Sequence, residues 1–346
     1  MSNLIIVLFL FAVTVISAFI EPGLKNETRR KLYVLIAVII VILVGLRDGS
    51  SLNDYDNYVR IYNDLTRRSE VEFSYDVICS LAGHLGGVSA MFFIYALLGT
   101  STKLFAFYRL TDLKFLTLAV YVSNIMILHD MTQIRAGVAS GIFLLALPYL
   151  RDRKVLKYLL LVALAFCFHY SSLLFLIPCL FWIKSLRDNR WFYLLIIPIG
   201  YLLGTTVLNP EIIPYEPLKA KIIMYRNLQQ MGSTGFTDLN IFNPYILFRI
   251  AIYFILLWKF NLIKRSNRYF QVLMFVDGLA ICLFPAFSSI ALLGYRGSEL
   301  LGIVEVVLYP MLYYAVKPKE AAKFSVVSIA AALLIVNLTY KHLIYF

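Results

Sequence analysis

Arg47 is followed within a few residues by Asp54-Tyr55-Asp56-Asn57-Tyr58, and then by Arg60 and Tyr62. Carboxylates, amides and tyrosine rings at this spacing suit sugars, which they bind by paired hydrogen bonds and by stacking on C–H faces. The same run also suits a solvated loop whose aromatics sit among lipid headgroups. Further on, His129-Asp130-Met131-Thr132-Gln133-Ile134-Arg135 puts a guanidinium just inside a helix start. A cation there adds to the positive end of the helix dipole and favours a bound anion, and the arginine fork fits phosphate. An ion pair with Asp130 or another carboxylate is the alternative. His169, followed by Tyr170 and two serines, titrates near neutrality and suits a base or an anion contact, or else a satisfied interfacial side chain. Arg296 and Glu299 either face a ligand or pair with each other three residues apart. Arg249, Asp277 and Glu305 read as a second buried pair or network, structural in character for the two acids.

The elements that must position these residues are membrane helices. The chain is 61% hydrophobic and only 15% charged, more apolar surface than one soluble core can bury. The apolar residues fall in long blocks separated by short polar clusters, as a hydrocarbon slab about 30 Å thick demands of helices. A net charge of +12 does not indicate nucleic acid, because the basic residues are scattered in small groups between the blocks. Cys79, Cys167, Cys179 and Cys282 are isolated, so neither a disulfide framework nor a metal site is expected. The first block, Leu4 to Ile20, lacks a basic segment before it and reads as a retained helix, not a cleaved signal.

Hydropathy places helices at 4–20, 32–46, 88–108, 113–128, 132–150, 155–169, 170–183, 191–208, 244–260, 269–287, 297–315 and 324–341. With the N-terminus outside, the inward connections hold 21 of the 32 Lys and Arg residues, each with at least three. The expected fold is thus an all-α polytopic membrane protein in one domain over 1–346, with about 12 spans and both termini outside. The sixth and seventh helices are short; the polar break at Phe168-His169-Tyr170-Ser171-Ser172 suits a tight hairpin, or a kink in one long helix. Two long segments face outward, 47–87 and 209–243. The first carries Phe73, Val77, Ile78 and Leu81 at helical spacing and suits an interfacial or re-entrant helix. No P-loop, GxSxG, HExxH or DxD-like nucleotide-sugar loop appears on the inner face, which speaks against an enzyme using cytoplasmic nucleotides.

Arg47 with Asp54-Tyr55-xx-Tyr58, Gln133-Ile-Arg135-xx-Val-Ala-Ser140, Phe168-His169-xx-Ser172 and Tyr295-Arg296 together resemble the EpsG-type family of Wzy-like polysaccharide polymerases. The likeness runs in order from residue 45 to about 300 and departs at Glu70-Val-Glu72-Phe73, where related proteins commonly show a glycine-aromatic pair. It implies a bacterial inner-membrane glycosyltransferase of GT-C-like type, making O-antigen, capsule or exopolysaccharide. The growing glycan would pass from undecaprenyl diphosphate to a lipid-linked repeat unit on the outer face. Arg47, Arg135 and Arg296 would then stabilise the leaving diphosphate without metal or cofactor. Asp54 and His169 are the candidate bases, and Tyr55, Tyr58, Gln133 and Glu299 join Arg47 and Arg296 as substrate contacts. Besides the lipid-linked oligosaccharide and membrane lipid, a chain-length regulator is the partner such a polymerase would have.

The main competing expectation is a lipid-linked oligosaccharide flippase or other transporter. Against it stand the outward N-terminus, the lack of two similar halves and charge gathered at one face instead of the midplane. An acyltransferase of exported glycans, with a histidine in a deep funnel, is a third.

Overall fold

The computed structural model describes residues 2–69, 71–205, 219–220, 223–224, 227, 231, 239–288 and 290–344. Most of the segment expected as a second outer loop, 209–243, lies outside them. Among the described residues the chain is helical, without a β-sheet. Its main helices are α1 (Asn3–Ile20), α2 (Asn26–Gly45), α3 (Tyr55–Asn63), α4 (Phe73–Leu85), α5 (Val88–Leu110), α6 (Lys114–Ser123), α7 (Ile134–Arg151) and α8 (Val155–Phe168). A 3₁₀-wound segment, Tyr170–Trp182, precedes α9 (Arg190–Thr205), α10 (Pro244–Trp258), α11 (Phe260–Ser266), α12 (Phe270–Ala286), α13 (Ala291–Leu301) and α14 (Lys319–Ile335).

This is a polytopic membrane protein. Four helices are long and apolar enough to cross a bilayer: Asn3–Gly23, Val88–Leu110, Ile134–Arg151 and Lys319–Tyr340. The number rises to six if α6 with Met126–Thr132, bent by 65°, and α10 with α11, bent by 77°, each count as one span. Four shorter apolar helices accompany them. The polar connections gather at two ends. At one, Arg151 donates to the Arg268 carbonyl, Asn267 to Leu110, Arg153 to Trp182 and Gln271 to Arg187. At the other, Asn3 donates to the Asp48 carbonyl, Asn53 to His342, and Lys341 pairs with Glu299. The segment after His169 folds back on α8 as a hairpin: Tyr158 donates to the Phe175 carbonyl and its ring meets Trp182 edge-on, 5.7 Å between centroids.

Helix α4 presents Phe73, Val77 and Leu81 outward, but Ile78 turns inward with Tyr75, Cys79 and Ala82. The 297–315 block starts earlier, at Ala291, and changes winding after Leu301. At Gly302 a Cβ would lie 2.9 Å from Arg249 Nη2, so any larger residue would require the guanidinium to shift. Arg249 bonds Glu305 at 2.5 Å and Ser298 at 2.6 Å, forming the buried pair between α10 and the helix after α13. Asp277, buried nearby, makes no hydrogen bond among the described residues.

The tightest constraint lies where α5 meets α7. Lys103, which charge counting groups with the inward loop 103–114, is fully buried inside α5. Its ammonium pairs with Asp130 at 2.7 Å and donates to the Gly137 carbonyl at 2.5 Å, while Tyr121 donates to the other Asp130 oxygen at 2.6 Å. A buried amine must find such partners, since no lipid or water supplies them. Glycines permit the approach: a Cβ on Gly99 would stand 2.7 Å from Asp130 Oδ1, and one on Gly141 would stand 2.1 Å from Thr102 Oγ1. Asp130 belongs to the π-wound turn Met126–Thr132, which follows a helix break at Asn124. Asn337 covers that break, donating to Ser123 O and Asn124 Oδ1, both at 3.0 Å. The turn ends at Gln133, so the buried ion pair sets where α7 begins and where Arg135 points.

Removing one partner strands the other charge. Lys103→Met or Asp130→Leu should each destabilise the folded protein by about 3–5 kcal/mol, and the double substitution should recover most of that loss. Thermal unfolding in detergent checks this; additive losses in the double variant contradict it.

Candidate functional site

Glu72 is the residue around which the polar end of the bundle is built. It sits in extended backbone just before α4, buried, and its side chain does not cap its own helix. Its carboxylate instead reaches two distant elements. Oε2 accepts from Arg135 Nη1 at the start of α7. Oε1 faces His169 Nδ1 at 3.2 Å and accepts from the Tyr170 N–H at 3.0 Å. The Tyr170 hydroxyl closes the corner by donating to the Val71 carbonyl. Burial raises the Glu72 carboxyl, but the His169 bond, the Arg135 charge and the Tyr170 N–H outweigh it and hold the group at about 2. An ionised carboxylate only accepts, so His169 carries a proton on Nδ1, and burial, which lowers the imidazole, favours the neutral form with the Nε2 lone pair free.

Arg135 is gripped on its other side by aromatic faces, 5.7 Å from the Tyr58 ring and 5.8 Å from Tyr75. Tyr75 in turn donates to the Tyr58 carbonyl at 3.0 Å, tying α4 to α3. The Arg135 pairing therefore goes to Glu72, because Asp130 is taken by Lys103.

Arg135 and His169 line a pocket of about 140 Å³ with Asp54, Tyr58, Gln133, Arg296 and Glu299. Segments far apart in sequence thus converge on one cavity. Asp54 opens α3 with a left-handed backbone (φ 65°), a conformation aspartate tolerates better than most residues. Burial raises its carboxyl above the ordinary range, against the pull of Arg135 and Arg296. Arg296 makes no ion pair among the described residues, whereas Glu299 pairs with Lys341 at 3.7 Å. The Arg296–Glu299 pairing open to the sequence is therefore replaced by a contact to the C-terminal segment.

Arg47 and Tyr55 do not line this pocket. Arg47 is buried, donating to the Val44 carbonyl at 2.8 Å with its guanidinium 4.7 Å over Phe92. Its Nε and Nη2 have no hydrogen-bond partner among the described residues. Tyr55 stacks on Phe92, 4.5 Å between centroids, and presses so close to Gly49 that a Cβ there would lie 2.2 Å from its ring. Glu72 was absent from the sequence-derived site and appeared only as a departure from a familiar pattern. The signal that finds it is the need of a half-buried Arg135 for a carboxylate once Asp130 is spoken for. Among the described residues no three His, Cys, Asp or Glu side chains cluster as a metal site.

Chemically, the pocket offers Arg296, unpaired among the described residues, a second cation held in a fixed orientation, a histidine with a defined tautomer and the carboxyl of Asp54. That combination suits an anionic leaving group beside a hydroxyl that must lose a proton. Comparison with known proteins narrows the chemistry. The model of the EpsG family matches residues 30–346. The chain belongs to the EpsG family. This is a family of Wzy-like polymerases, so the chain is a glycosyltransferase-like polymerase of polysaccharide biosynthesis. Every residue of the EpsG pocket lies inside the matched region, and only α1 and the start of α2 fall before it. No curated protein and no solved structure matches the chain.

Because the Glu72 carboxyl is shifted down, its stabilising contribution is present above the ordinary glutamate value of about 4.3 and is lost as pH falls toward 2. Glu72→Gln should lower the thermal midpoint by a constant amount between roughly pH 5 and 8, with the gap closing below roughly pH 4. Melting curves across that range check the sign; a gap that closes near neutrality contradicts it.

Proposed function

We propose that this EpsG-family protein polymerises undecaprenyl-diphosphate-linked oligosaccharide on the outer face of a bacterial inner membrane. The observation that carries the reading is the convergence of Arg135, Arg296, His169 and Asp54 on one pocket around the buried Glu72. The bundle is GT-C-like with twelve crossings and both termini outside, the four shorter apolar helices, α2 and the segment 291–315 joining the six spans. The segment 47–87 and the residues 209–243 then belong to the outer side, and the whole chain acts as one membrane domain.

In the reaction, the sugar hydroxyl at the non-reducing end of a lipid-linked repeat attacks the anomeric carbon of the growing chain. The new C–O bond forms as the bond from that carbon to the diphosphate oxygen breaks. His169 Nε2 takes the hydroxyl proton, and Glu72 stabilises the imidazolium that results. Negative charge that develops on the diphosphate falls to Arg135 and Arg296, with the buried Arg47 adding to the field. Arginine forks supply that charge without a metal, and orientation by Glu72 means Arg135 need not reorganise when the charge appears. Asp54, Tyr58, Gln133 and Glu299 bind the acceptor sugar's hydroxyls. A chain-length regulator docking on the outer side would set how many cycles follow.

Arg135→Ala in a living strain should abolish long surface polysaccharide while single-repeat glycan still appears, with turnover down by about 10²–10³-fold or more. Arg135→Lys should fail nearly as badly, since an ammonium cannot hold phosphate oxygens in a fork. Electrophoretic banding of the surface glycan reads both outcomes. Loss of the single repeat as well would contradict the polymerase reading and favour a flippase.

A further inference from the structure

At the opposite end of α10 from the pocket, the helix stops at Trp258 and α11 leaves at 77°. The pocket end is marked by Tyr245, against which Lys341, the partner of Glu299, is seated. The far end borders a cavity of about 570 Å³. Arg187, Arg190, Lys259 and Lys264 contribute cations to it, and Asp188 is its one acid. Asp188 is already committed: Arg187 holds both its oxygens, at 3.0 and 3.1 Å, and Gln271 donates to it at 3.2 Å. Arg190, Lys259 and Lys264 form no ion pair among the described residues, so the cavity has an uncompensated positive charge.

Its lip is apolar. Trp258 is 75% and Leu262 49% exposed, and Lys259 lies 4.1 Å over the Trp258 ring. Trp258 closes an apolar membrane helix, so the cavity opens at the boundary between hydrocarbon and water, where tryptophan and lysine settle. A ligand there meets cations on one side and hydrocarbon on the other. A free phosphate or a phosphopeptide would use only the first; an anionic glycerophospholipid uses both.

We propose that this cavity binds the phosphodiester headgroup of an anionic phospholipid such as phosphatidylglycerol. The headgroup phosphate sits among Arg190, Lys259 and Lys264, and the acyl chains run along Trp258 and Leu262. Basic hollows between membrane helices take acidic lipid headgroups on the same grounds. The site is separate from glycan chemistry, and its existence does not depend on the polymerase reading.

Native mass spectrometry of the full-length protein in detergent, mixed with equal amounts of dioleoyl phosphatidylglycerol and dioleoyl phosphatidylcholine, tests the proposal. The wild type should retain the anionic lipid at least about fivefold more than the zwitterionic one, on the scale of a single basic contact. Arg190→Gln with Lys264→Gln should weaken that retention by about twenty-fold, since two such contacts are lost. Trp258→Ala, which alters no charge, should weaken it as well. Lys154→Gln with Lys157→Gln removes two cations from another connection and should leave retention unchanged. Equal retention of the two lipids, or equal losses in the two charge variants, would overturn the site. Displacement of the lipid by millimolar inorganic phosphate alone would overturn the lipid as its occupant.

Discussion

A carboxylate removed from water has two stable outcomes: it takes a proton, or it gathers enough donors to stay ionised. Glu72 takes the second course, and the polar end of the molecule is arranged to allow it. One oxygen is met by Arg135, the other by His169 and a backbone N–H of the following residue. These donors come from the start of α7 and from the hairpin after α8, so the charge can be satisfied only when both elements are in place. The same contacts fix the Arg135 fork and the His169 tautomer. Stability and preorganisation are here one requirement.

The deeper layers of the bundle serve that corner. Arg135 can reach Glu72 only because α7 begins where the π-wound turn ends, and the turn is tied down by the Lys103–Asp130 pair. That pair exists only because glycines let α5 and α7 come close. On the far side, Arg249 grips Ser298 and Glu305 and so orients the helix that presents Arg296 to the pocket. Two buried ion pairs, costly as isolated features, thus hold the two helices that carry the pocket's arginines.

Much of this was legible in the residue order. Apolar blocks located most of the helices to within a few residues, though those expected from 32, 297 and 324 begin at Asn26, Ala291 and Lys319. The types and order of Arg135, His169 and Arg296 marked the polar end and the family. Three things were not legible, each because it depends on a contact between distant segments. Lys103 looked like an inward-loop charge because charge counting does not see burial. Arg47 looked like a ligand residue because its sequence neighbours were polar, yet it is buried against Phe92 and the Val44 carbonyl and does not line the pocket. Glu72 was invisible because its three partners are 63 to 98 positions away. Winding changes at Asn124 and after Leu301 likewise follow from Asn337 and Arg249, which no local pattern announces.

A pocket organised by Glu72 that joins lipid-linked glycans, as proposed, must release one prenyl diphosphate with each new linkage. The most direct measurement uses the purified protein in liposomes with a defined lipid-linked repeat unit as its only substrate, following product length and diphosphate release together. The wild type should give a ladder with one diphosphate released per new linkage, and Glu72→Ala, folded by its melting curve, should give neither. A ladder formed at an undiminished rate by Glu72→Ala, or diphosphate released without chain growth by the wild type, would contradict the account.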